Sequence, residues 1–140
     1  GVQPCALPIC YRTSLPPRLS ELAILVTARH WSCQYEWFAH EQHALKGGLS
    51  PAIIAAIKAG QRPDFRAEDE TIIYDYAHEL HTGQSVSDQT YQRAQTAFGR
   101  TGVVELTALL GYYSLIAMTL NAHDIPVPDG AAPPLPPRAG

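Results

Sequence analysis

Cys33, Glu36, His40 and His43 stand three, four and three residues apart in the stretch ARHWSCQYEWFAHEQHA, residues 28–44. On an α-helix each residue advances about 100°, so this spacing places all four on one face. Three chemistries are open to such a face. Glu36 and His40 at i,i+4 can hydrogen-bond, which would orient the imidazole and, with partial burial, make a general acid/base couple near neutral pH. The same pair left in water would add only about 0.2–0.5 kcal/mol of helix stability. Cys33, one residue past a Ser32 cap, would lie at the positive end of the helix, which favours a thiolate. A lone cysteine among aromatic rings is otherwise a small buried hydrophobe. Glu36, His40 and His43 also read E-x3-H-x2-H, which could present three metal ligands. In HEQHA, however, the second histidine comes one residue too early for H-E-x-x-H, and no metal is expected. Trp37 borders this face, whereas Tyr35 and Phe38 point elsewhere and can enter the core. His30, His78, His81 and His123 are scattered, which suits surface or capping roles.

The elements that must position these residues follow from periodicity and punctuation. A first helix from about Pro17 to His30 carries the apolar stripe Leu19, Leu22, Ala23, Leu25 and Val26. The second begins near Ser32 and runs to Lys46, where Gly47 and Gly48 stop it. Ser50 as cap and Pro51 at the first helical position open a third, ended by Gly60. AEDETIIYDYAHELHTG, residues 67–83, forms a fourth, with acids in its first turn and Ile72, Ile73, Tyr76 and Leu80 along one side. A fifth follows the Ser87 cap, lines up Tyr91, Ala94 and Phe98, and closes at Gly99. The last, VVELTALLGYYSLIAMTLNA, is apolar nearly all round, as expected of a central core or subunit-interface helix. Its fifteen residues between Glu105 and Asn121 fall short of the roughly 20 that a bilayer requires. With no period-2 segment and no fixed repeat, the fold class is all-α, a bundle of about five to six helices.

The whole chain sets further bounds. Its 140 residues suffice for one domain. Ten Lys and Arg against thirteen Asp and Glu, without a basic run, exclude a nucleic-acid partner. All prolines except Pro51 and Pro63 lie before Arg18 or after Ile125. The expected domain therefore spans residues 16–125, and residues 126–140 form a Pro-rich tail, extended, mobile and outside the fold. The opening GVQPCALPIC has no basic n-region and is interrupted by Pro4 and Pro8, unlike a signal peptide. CALPI resembles the translation of a common sequencing adapter, so residues 1–10 are expected to be non-native and the true N-terminal part to be missing. Cys5 and Cys10 then carry no meaning. Cys33 is left as the one thiol of interest, which suits a reducing cytoplasm.

From Pro16 to Asp129 the chain resembles the carboxymuconolactone decarboxylase family, which includes alkylhydroperoxidase D-like proteins. The likeness rests on RLSELAIL, on the H-x3-A-x3-GLS run into the third helix, and on LLGYYSLIAMTLNA. The resemblance implies an all-α fold and assembly into trimers or hexamers, which would cover an apolar last helix. The peroxidase branch has a glutamate, eleven residues, then C-x-x-C-x3-H. Glu21, Cys33 and His40 match that spacing, but Glu36 replaces the second cysteine. A carboxylate cannot resolve a disulfide, so the dithiol cycle is disfavoured and Cys33 would reach at most a sulfenic acid awaiting an outside thiol. Glu21 would lie about 18 Å from Cys33 along one helix, so the chain must break near Trp31-Ser32 or a neighbouring subunit must contribute.

The decarboxylase branch implies a small organic acid or lactone as substrate, with no metal or organic cofactor required. His40 would be the acid, Glu36 its orienting partner and Glu21 a second proton carrier, with Cys33 retained as a candidate. Arg29 would anchor the substrate, beside Trp37 and His43. Two alternatives remain: a thiol peroxidase using Cys33 with an external thiol, and a non-catalytic helical oligomer that binds an apolar small molecule.

Overall fold

Pro16 and Pro17 open the first helix, α1 (Pro17–His30), with φ already set for a first turn and no N–H to satisfy. The computed structural model describes residues 13–136, so the adapter-like residues 1–10 lie outside it. Among the described residues there are helices and no strand, as the all-α reading requires. The other helices are α2 (Gln34–Lys46), α3 (Pro51–Lys58), α4 (Glu68–Gly83) and α5 (Asp88–Ala122), followed by a 3-10 turn at Pro128–Gly130.

α1 is the central element. Leu19, Leu22, Ala23, Ile24, Leu25, Val26 and Ala28 are all buried, and α2, α4 and α5 pack around the helix. Each buried Leu or Ile contributes about 1.5–3 kcal/mol of transfer free energy. This rod therefore dominates the core. Arg18 ties its first turn to that of α4 through Asp69 at 2.6 Å and through a short contact with Glu70.

One device ends the first three helices. Ser32, Gly48 and Gly60 each adopt positive φ just past a helix end. The next residue's N–H then reaches back: Cys33 donates to the Ala28 carbonyl, Leu49 to Ala44 and Gln61 to Ala56. The first of these turns folds α2 back along α1. Cys33 is itself the N-cap of α2, in extended conformation, rather than the first residue beyond a Ser32 cap.

The expected fifth and sixth helices are one interrupted element. Within α5, Gly99 has φ 69° and ψ 175°, a region essentially closed to other residues, and the helix resumes immediately after it. Its inner side supplies Leu106, Leu109, Leu110 and Tyr113 to the core, while Val104, Leu115 and Met118 are exposed. α5 is therefore not the central helix of this chain. It includes an 18-residue stretch of mean hydropathy 1.6, long and apolar enough by those measures to cross a bilayer, with 33% of the stretch buried.

The tail departs from expectation. Leu135 is buried in the core, and the Gln34 side chain brackets it, accepting from Leu135 N at 2.8 Å and donating to its carbonyl at 3.1 Å. Up to that point the tail belongs to the fold.

Candidate active site

Glu21 and His40 meet because of the turn at Trp31–Cys33. With α2 running back along α1, the Glu21 carboxylate lies 2.8 Å from His40 Nδ1, and each side chain is 15% exposed. A carboxylate only accepts, so Nδ1 donates and Nε2 is the nitrogen left for proton transfer. The edge of Tyr113 from α5 meets the His40 ring at a centroid distance of 5.0 Å, and the His43 ring lies 5.9 Å away. Glu21 lines a cleft of about 530 Å³ together with Thr13, Leu15, Ser20, His43 and Lys46, and His40 stands behind Glu21 rather than in the lining.

The expected Glu36–His40 hydrogen bond is not formed. His40 turns to Glu21, and Glu36 is buried with neither carboxylate oxygen partnered among the described residues. Burial without a compensating donor pushes the Glu36 carboxyl up to about 8, so it is a neutral acid at pH 7. One face of a helix can contain two environments, since a small rotation separates a side chain that enters the core from one at its margin.

The other expected residues are dispersed. Trp37 is fully buried in the core with the Lys58 ammonium 6.0 Å from its ring, so it anchors α2 and does not border a substrate space. Phe38, expected to enter the core, is exposed. Arg29 does not face the cleft. Its Nε donates to the Lys58 carbonyl at 3.1 Å and its Nη1 to Ser32 Oγ at 3.3 Å. Cys33 is buried against a separate cavity of about 200 Å³ with Tyr35, Asn121 and Asp124. Glu36, His40 and His43 do not converge, and no cluster among the described residues is suited to a metal.

Lys46 and Tyr113 were missed. Lys46 closes α2 and reads in sequence as an ordinary last-turn cation, while Tyr113 is distant in the chain and joins His40 only through packing. No family model, curated protein or solved structure matches the chain.

Proposed function

We propose that the protein is a carboxymuconolactone decarboxylase-like enzyme, acting without a cofactor on a small organic acid or lactone in the cleft beside Glu21 and His40. The observation that carries this reading is the half-buried Glu21–His40 pair, whose Glu21 lines a cleft that also holds His43 and the Lys46 cation. Lys46 replaces Arg29 as the anchor for a substrate carboxylate. Loss of carbon dioxide breaks the bond to the departing carboxyl carbon and sends its electron pair into the unsaturated lactone. Protonated His40 then returns a proton to carbon, while Glu21 holds the ring and stabilises its cationic form. Glu36 has no place in this cycle, and Glu21 both orients His40 and carries the second carboxyl function. The exposed apolar face of α5 is covered by further copies of the chain in a homo-oligomer.

The test follows carbon dioxide release from a carboxylated unsaturated lactone. His40→Ala is expected to lower turnover by about 10²–10⁴-fold, Cys33→Ser to retain most of it, and Lys46→Gln to raise KM more than it lowers kcat. Lactone inertness combined with hydroperoxide consumption that disappears in Cys33→Ser would move the chemistry to sulfur.

A further inference from the structure

A second pocket, of about 260 Å³, lies between the ends of α1 and α3, the turn after α3 and the C-terminal half of α4, and shares no lining residue with the Glu21 cleft. Arg29, His30, His78 and His81 converge on it, together with Val26, Ile57 and Tyr74. Three of the four histidines that the sequence leaves scattered, His30, His78 and His81, are thus gathered by the fold. The His30 and His81 rings stack at 4.8 Å and 12°, and those of Tyr74 and His78 at 5.6 Å and 8°. No carboxylate lines the pocket among the described residues. The nearby Asp75 is engaged by Arg62 and Arg93.

Two features are built rather than incidental. Two hydrogen bonds fix the Arg29 guanidinium, and its remaining Nη2 lies against the bare Cα of Gly60, where a β-carbon would come within 3.0 Å. His81 is fixed as well. Thr27 donates its hydroxyl proton to the Ala23 carbonyl at 2.9 Å, so its oxygen accepts from His81 Nε2 at 2.9 Å, which orients the ring. Burial, and then the neighbouring imidazoles, hold His30 and His81 below the ordinary histidine range. The Arg29 guanidinium supplies a fixed positive charge to the pocket.

We infer that this pocket binds a small, flat organic carboxylate, with Arg29 taking the carboxylate and the aromatic rings and aliphatic side chains taking its apolar body. The guanidinium keeps its Nη2 N–H groups for a carboxylate, and the adjoining Val26 and Ile57 side chains and Tyr74 ring suit the apolar body of an organic acid rather than an inorganic anion.

The experiment titrates the full chain with benzoate, following imidazole proton resonances by NMR and heat by calorimetry, with benzamide and inorganic phosphate as comparisons. Benzoate is expected to shift the His30, His78 and His81 signals saturably and to leave those of His40 and His43 in place. Benzamide and phosphate should bind at least tenfold more weakly. Arg29→Gln should weaken benzoate about tenfold or more. Thr82→Phe, at the exposed rim of the pocket, should block it without disturbing the core, and decides the matter should Arg29→Gln fail to fold. Absent or non-saturating shifts, shifts confined to His40 and His43, equal binding of benzamide or of phosphate, or unchanged binding in Thr82→Phe would each overturn the assignment.

Discussion

A carboxyl group sealed in a helical core without a hydrogen-bond donor destabilises the fold once it must ionise, and Glu36 is such a group. Its pKa rises from 4.5 to about 8 on folding. Stability from this residue is therefore fully present below pH 4.5, falls as pH rises, and is lost above pH 8. Glu36→Gln should match the parent protein at pH 4 and exceed it at pH 9 by an amount on the order of 4 kcal/mol, measured by urea unfolding at each pH. His81 has the opposite sign. Its pKa is lowered to about 4, by burial and then by His30 and His78, so its contribution is present above the ordinary histidine value and lost as pH falls through about 4. The acid limb of the stability profile should accordingly flatten in His81→Gln. At this scale the sequence revealed which groups could react. It could not reveal that Glu36 would be neutral and His40 paired with Glu21, because desolvation depends on neighbours contributed by other helices.

The helix ends decide whether the proposed site exists. Ser32 holds a left-handed conformation with φ 46°, which proline cannot adopt. Ser32→Pro should open the turn, separate Glu21 from His40 and remove turnover together with a loss of about 3 kcal/mol in stability. At Gly99, with φ 69° and ψ 175°, alanine should cost about 1–3 kcal/mol, read from the thermal midpoint, with the cleft residues left in place. Caps and stops at Pro17, Ser50, Pro51, Gly60 and Ser87 are legible in sequence because they act through local backbone chemistry. Continuity of α5 through Gly99 is not, since a glycine in this conformation can end a helix or kink one, and packing chooses between them.

At the scale of the molecule, the chain buries one face of α5 and leaves another bare. Leu115 and Met118 are 59% and 50% exposed on a helix whose opposite side is in the core. In the proposed homo-oligomer these residues are interfacial, so Leu115→Glu with Met118→Glu should convert the assembly to monomers in sedimentation velocity while preserving the helical circular dichroism of the chain. An unchanged sedimentation coefficient would place the interface elsewhere. The second pocket belongs to this scale too, because its three histidines come from α1 and α4 and meet only when those helices pack.

Periodicity, capping and composition determined the all-α class, most helix limits and the helix-breaking turn near Trp31-Ser32, because each is written in spacings of a few residues. They also placed Cys33 and Glu36 next to that turn, and Glu21 and His40 on the two helices that flank it. Tertiary structure alone decided that Glu21 meets His40, that Glu36 and Trp37 are sealed away, that Arg29 faces a histidine-lined pocket and that Leu135 returns to the core. Those outcomes depend on contacts between residues far apart in the chain, where packing and desolvation, rather than local spacing, determine the free energy.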